Sequence, residues 1–180
     1  MSRTHLLALM AGSIAALVPL AVRAQKDVVS CKPVLDATTK QTTVPYHMYG
    51  TTSNPVPGGK PIPMELISAG GQNYVLAGGH WSRSPMTAAA MAQQEQENIH
   101  NATAMACQRV RDESVGGTPA IVYSEHSEGE FGKSDAQVWV AKSTGLVLRT
   151  ENDMDTGDAS KTHLSVRYDY SNVQAPTDVR

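Results

Sequence analysis

Aromatic residues, cysteines and positive charge are all in short supply in this chain, and each shortage excludes something. One Phe, two Trp and six Tyr leave the core to aliphatics, Met and Tyr. There is no basic stripe and no interleaving of aromatic with basic residues, which argues against nucleic acid as a partner. The same lack removes simple attraction to anionic lipid headgroups. Catalytic signatures are missing too: there is no Gly-x-Ser-x-Gly elbow, no phosphate loop and no His-Glu-x-x-His. The expectation is a protein that is not an enzyme, with no catalytic residue and no cofactor.

Metal is not expected either. His47, His80, His100, His126 and His163 show no ligand spacing. His47-Met48 with His163 suits copper by ligand type, imidazole and thioether, but scattered surface histidines explain the set better. Glu125-His126 beside Glu128 and Glu130 reads as a solvated charge cluster. Arg149 and Glu151 share a strand face and read as structural cross-strand contacts.

One long apolar run does occur. Leu6 to Val22 follows Arg3, and Val22-Arg23-Ala24 fits the small-residue rule for a cleavage site. Residues 1–24 therefore read as a secretory signal peptide, and 25–180 as a single domain beginning at Gln25. Gly12, Ser13 and Pro19 interrupt the run and make it marginal as a membrane span. No integral membrane segment is expected after cleavage, and the location is periplasmic or secreted. Val28-Val29-Ser30-Cys31 loosely resembles a lipid-attachment box, but Arg23, Lys26 and Asp27 separate it from the apolar run. Cys31 and Cys107 are then the only cysteines of an exported chain, and a disulfide between them is expected. Of 15 Lys and Arg, Arg3 and Arg23 leave with the signal, so 13 remain against 17 acidic residues.

The strongest local pattern runs from Val138 to Asp153. Val138 and Val140 alternate with Trp139 and Ala141, and Leu146 and Leu148 with Val147 and Arg149, which predicts two half-buried strands. Lys142-Ser143-Thr144-Gly145 joins them, with Gly145 suited to a left-handed turn position. Before it, Lys26 to Lys40 predicts a helix broken or delayed by Pro33. Strands follow over Thr42–Thr52, from Ile62 to Leu66 and over Gln72–Ala77, with turns at Gly70-Gly71 and Gly78-Gly79 and a loop over Ser53–Pro61. Ser84-Pro85 predicts an N-cap and first turn, opening a helix from Pro85 to about His100 whose thin apolar face holds Met86, Ala90, Met91 and Ile99. Strands are expected over Met105–Ser114 and Thr118–Glu125, a polar loop over Ser127–Lys133, a turn over Gly157–Ser160, and a last strand with Leu164, Val166, Tyr168 and Tyr170 on one face. The fold class is α+β: a strongly curved antiparallel sheet, a half-barrel, covered by one or two helices.

Trp139-Val140 with Lys142-Ser143-Thr144-Gly145-Leu146-Val147-Leu148-Arg149 resembles the hairpin of LolA-like and LolB-like proteins, the bacterial lipoprotein carriers and their relatives. Tyr168-Asp169-Tyr170-Ser171-Asn172-Val173 followed by Pro176 resembles the closing strand of that superfamily, and Gln72-Asn73-Tyr74 through Trp81 does so more loosely. The resemblance implies an open half-barrel with an apolar concave face lidded by helices, and binding of acyl chains or other amphiphiles. Read from the residues alone, a curved sheet presenting Met48, Met64, Leu66, Leu148, Leu164, Val166 and Tyr168 under a helix carrying Met86 and Met91 encloses an apolar cavity, with pliable Met suiting varied chains. The leading expectation is a non-enzymatic periplasmic binder of a lipid or other amphiphile. The alternative is an envelope protein-binding or stress-sensing module without a ligand.

Overall fold

The computed structural model describes residues 26–53, 58–157 and 161–180. The signal peptide expected over residues 1–24 lies outside them, as does part of the loop over 53–61 and of the turn over 157–160. Among the described residues, two helices and one nine-stranded antiparallel sheet account for the regular structure. In chain order they are α1 (Val28–Gln41), β1 (Tyr46–Thr52), β2 (Ile62–Ala69), β3 (Gln72–Ala77), β4 (His80–Arg83), α2 (Ala88–Asn101), β5 (Ala104–Val115), β6 (Thr118–Gly129), β7 (Gly132–Ala141), β8 (Val147–Asp155) and β9 (Lys161–Asp169). The strands lie in the order β4-β3-β2-β1-β9-β8-β7-β6-β5, so the curved sheet is unclosed, with β4 and β5 at its edges. This is the expected α+β half-barrel.

Tight turns explain most of that order. Glycine pairs at 70–71, 78–79 and 116–117 all have positive φ, where a side chain would be strained, and each joins neighbouring strands. Gly145 takes φ 67°, as its turn requires. The one long-range closure is β1 against β9, which sets Gly50 opposite Val166. A Cβ on Gly50 would collide with the Ser165 carbonyl, so glycine is what lets these two strands meet.

The helices share one face of the sheet. Helix α1 begins at Asp27, whose side chain accepts from the Ser30 amide at 3.0 Å, and buries Cys31, Val34, Ala37 and Gln41. Val34 and Ala37 meet Val138, Val140 and Val147 in the main core cluster. Cys31 is bonded to Cys107 of β5, with Cα atoms 4.7 Å apart. These contacts answer the expectation of a break at Pro33. Proline removes one helix hydrogen bond, but the helix is held at the residues on either side of it and continues unbroken to Gln41.

Three further readings need correction. Helix α2 is capped by Thr87, which accepts from the Ala90 amide at 3.1 Å, and not by Ser84. The Ser84 hydroxyl instead accepts from the Met86 amide, holding residues 84–86 as a turn before the helix. The polar stretch Ser127–Lys133 is not a loop: β6 and β7 run through it and leave only Glu130 and Phe131 in the turn. Lys133 pairs with Glu128 across these strands at 2.9 Å, so the polarity there marks a wet sheet face. Finally, a bulge between Trp139 and Val140 interrupts the alternation of β8. Val147 stays with the helix-side core, while Leu148 packs with Ala120, Val122 and Trp139 on the opposite face.

Candidate functional site

Register assigns every strand residue to the helix-bearing face or to the open face. On the helix face, Val75, Leu66, Met48 and Tyr168 form a row across β3, β2, β1 and β9. Met64 and Val166 flank Gly50 in the next row, and Ile62 and Leu164 flank Thr52 in the one after. Six expected ligand residues, Met48, Met64, Leu66, Leu164, Val166 and Tyr168, are thus brought together. Val166 is buried, while Met48, Met64, Leu66, Leu164 and Tyr168 are half-exposed. Leu148 is not with them, because the β8 bulge turns it away.

Helix α2 lies on the same side of the sheet, joined to Asn73 of β3, and buries no residue of its own. Its start is tied to β3 through the fully buried Asn73, whose Nδ2 donates to the Met86 carbonyl at 3.1 Å and to Met91 Sδ at 2.9 Å. Near its other end the His100 carbonyl accepts from Lys26 Nζ at 2.7 Å. Since Met91 faces the sheet, helical spacing turns Ala88, Ala92, Glu95 and Ile99 the same way. Ala88, Ala92 and Ile99 are indeed half-buried. Ala90 is exposed on the far side, contrary to its expected inward position, and Met86 lies in the turn before the helix, 43 % exposed. A cavity of about 530 Å³ opens between the start of α1 and the last turns of α2, lined by Lys26, Val28, Gln93, Gln96, Glu97, Ile99, His100 and Asn101.

Three polar groups belong to the helix-bearing side: Glu125, which reads from sequence as part of a solvated charge cluster, Tyr168, an expected ligand residue, and Glu95 of α2, which the sequence reading missed. Glu125 lies on the helix face of β6, opposite Cys107 on one side and Ala136 on the other. Burial, with a smaller contribution from the Glu95 charge, pushes its carboxyl up to about 6. Glu95 keeps an exposed edge, yet desolvation raises its carboxyl above the usual range. Tyr168 is pushed up to about 12, by burial first and by the Tyr46 hydroxyl next. The rings of Tyr46 and Tyr168 meet edge to face at 5.7 Å. A charged residue within the apolar stripe of α2 was the signal for this cluster: Glu95 lies four residues after Met91 and four before Ile99.

The open face is different in kind. Trp139 is sandwiched by guanidinium groups, with Arg149 4.7 Å and Arg111 5.8 Å from its ring centre. His126, Asp135, Asp153 and His163 form one row across β6, β7, β8 and β9. His126 bonds Asp135 at 2.7 Å and Glu128 at 3.3 Å, and His163 bonds Asp153 at 2.7 Å and Glu151 at 3.0 Å. Both imidazoles are raised, each by its hydrogen bond to an aspartate first. Of this row, His126, Asp135 and Asp153 line a groove of about 650 Å³ whose wall also includes Cys107, Gln108, Ser124, Glu125, Ala136, Gln137 and Glu151. Among the described residues, no group of three or more His, Cys, Asp or Glu is placed to hold a metal ion.

No protein-family model and no curated protein matches this chain. Solved structures of similar fold include LprF from Mycobacterium bovis, at 10 % identity and TM-score 0.49, covering 85 % of this chain and 98 % of that one. The lipoprotein LppX of Mycobacterium tuberculosis is similar at 12 % identity and TM-score 0.46, over 83 % of this chain and 97 % of the other. A LolA superfamily protein from Nitrosomonas europaea also matches, at 10 % identity and TM-score 0.25, over 81 % and 92 %. These likenesses concern the course of the chain alone.

Proposed function

We propose that this chain is a non-enzymatic binder of a lipid or other amphiphile, exported to the periplasm or beyond, and that its ligand lies between α2 and the sheet. One observation carries this reading. Met48, Met64, Leu66, Val75 and Leu164 are apolar and half-exposed around the buried Val166, on the face that also carries a helix burying nothing. Apolar surface left half-covered forgoes roughly 25 cal/mol per Å² of burial, which an acyl chain entering the gap would recover. Met91 and Met48 add pliable walls. Among the described residues no helix is long and apolar enough to cross a membrane. Leu148 has no part in this site.

Titration with N-phenyl-1-naphthylamine, a neutral apolar dye that brightens on leaving water, tests the proposal. Saturable brightening is expected, and Met91→Asp should weaken it about tenfold or more, a loss of at least about 1.4 kcal/mol. Ala90→Asp, on the outer side of α2, should leave the titration unchanged. If the dye fails to bind, or binds Met91→Asp as it binds the wild type, the proposal fails.

A further inference from the structure

The amphiphile reading leaves the chemistry of the ligand's head open, and one buried amide on the helix-bearing face bears on it. Asn73 of β3 is fully buried, and its side chain is satisfied on one side only. Nδ2 donates to the Met86 carbonyl at 3.1 Å and to Met91 Sδ at 2.9 Å. Oδ1 has no hydrogen-bond partner among the described residues. Turning the amide over gives no relief, because it would set Oδ1 against the Met86 carbonyl, acceptor against acceptor. A buried acceptor left unpaired costs stability, and an arriving donor would recover it. The contact between Nδ2 and Met91 places this amide beside the side chain that faces the gap.

The register puts the amide at one end of the apolar strip. Asn73 pairs with Ser68 and Ser68 with Tyr46, so an amide and two hydroxyls form a polar row across β3, β2 and β1. Next on the same face come Val75, Leu66 and Met48, then Met64 with Val166, then Ile62 with Leu164. Rows two residues apart are separated by roughly 7 Å, so the three apolar rows span roughly 14 Å. Ser68 and Asn73 are buried, Met64 and Leu164 half-exposed and Ile62 exposed, so the polar row is the closed end and Ile62 the open one. The closed end is also uncharged. Burial raises the Tyr46 hydroxyl above its usual range, which keeps it protonated beside Ser68 and Asn73.

We propose, resting on the amphiphile reading, that the gap takes a single-chain amphiphile with an uncharged hydroxyl head, which docks on Asn73 at the closed end. The hydroxyl donates to Oδ1, and the chain lies along the rows of Leu66, Met64 and Ile62. Nδ2 keeps its bond to the Met86 carbonyl, so the head binds without cutting α2 loose. Other heads fit less well. A carboxylate or an ether has no proton to donate to Oδ1, and an ammonium would bury its charge among neutral groups.

Displacement of N-phenyl-1-naphthylamine at pH 7.5 tests this with two isomers, 1-decanol and 1-methoxynonane, which share their atoms and differ in the donor. If nothing in the gap accepts a hydrogen bond, the less hydrated ether should displace the dye at least as well as the alcohol. With Oδ1 as acceptor, decanol should displace it at about tenfold lower concentration, and decanoate and decylamine should both trail decanol. Asn73→Leu, close in size and without the acceptor, should bring the isomers within about twofold of each other. That variant also releases α2, so Thr87→Ala is its control: it removes the helix cap, leaves the amide in place and should keep the preference for decanol. The wild-type comparison holds whatever Asn73→Leu does to folding. Equal displacement by the isomers in the wild type, which a water already bound to Oδ1 would give, overturns the head assignment and leaves the amphiphile reading standing. So does a preference that survives Asn73→Leu or vanishes in Thr87→Ala, or a charged head that matches decanol. Dye that does not bind at all overturns both.

Discussion

The two helices lie on the same face of one sheet and are each 14 residues long, yet they are held by different means. Helix α1 buries four residues, is bonded covalently to β5 and contributes Val34 and Ala37 to the main core. Helix α2 buries none and meets the sheet through Asn73 near its start. Helical stability in proteins comes mostly from packing of one face, so α1 belongs to the cooperative fold and α2 has little to bind it there. Local propensity does not make this difference, since α1 contains a proline and α2 begins with alanines. The helix better suited to stand alone is the one the fold leaves loose.

The largest expected effect strikes α1 alone. Replacing Cys31 and Cys107 together by Ala should cost roughly 3–5 kcal/mol in urea unfolding, from loss of the loop constraint. Hydrogen exchange should then quicken in α1 and β5 and stay unchanged in α2. Uniform quickening across both helices would show that the two are one cooperative unit.

Next in size is the tether of α2. Asn73→Ala removes two hydrogen bonds from a fully buried amide, one to a carbonyl and one to sulfur, and should cost about 1–2 kcal/mol. Its signature is local: α2 amides should approach the exchange rates of an isolated helical peptide. Protection in α1 should hold.

Titration sharpens the comparison from the other wall. Glu125 is raised to about 6 in the folded chain, so folding favours its protonated form. That contribution is fully present below the unfolded value near 4.5 and is lost as pH rises through 6. Stability should therefore fall by about 1–2 kcal/mol between pH 4.5 and 6.5, and Glu125→Gln should flatten this part of the profile. His126 and His163 are raised as well, so their contributions are lost only above the ordinary histidine value, and that upper part should survive in Glu125→Gln. A profile unchanged by the substitution would mean that Glu125 is solvated and that α2 does not cover it.

Much of the sheet was legible because its causes are local. Glycine pairs with positive φ mark the hairpins, and period-two alternation puts Met48, Met64, Leu66, Leu164, Val166 and Tyr168 on one face. Long-range causes were not legible. Pro33 reads as a break unless the packing of Val34 and Ala37 is known. Residues 127–133 read as a loop until Glu128 and Lys133 are seen to pair across strands. One bulge was enough to send Leu148 to the other face. On the helix face, Glu95 escaped notice and Glu125 read as part of a solvated cluster because charged side chains default to solvent, and only the spacing of Glu95 from Met91 and Ile99 argued otherwise.

The smallest effect makes the sharpest contrast, because the same chemistry is removed from both helices. Asp27 caps α1 by accepting from the Ser30 amide at 3.0 Å, and Thr87 caps α2 by accepting from the Ala90 amide at 3.1 Å. Changing either to Ala leaves one helix-end donor unpaired and costs about 0.5–2 kcal/mol of helix stability. In α1, unwinding the first turn also disturbs Ser30, whose hydroxyl accepts from the Cys107 amide at 3.0 Å, so the loss should appear in global unfolding. In α2, the first turn meets the buried core through the Met91 Sδ–Asn73 contact and carries no covalent link. Thr87→Ala should therefore leave the unfolding midpoint within about 0.5 kcal/mol of wild type while exchange of the α2 amides rises several-fold. Ser84→Ala should do neither, since Ser84 precedes the helix. Equal global losses from Asp27→Ala and Thr87→Ala would make α2 as integral as α1, and a helix so fixed could not open to admit a ligand.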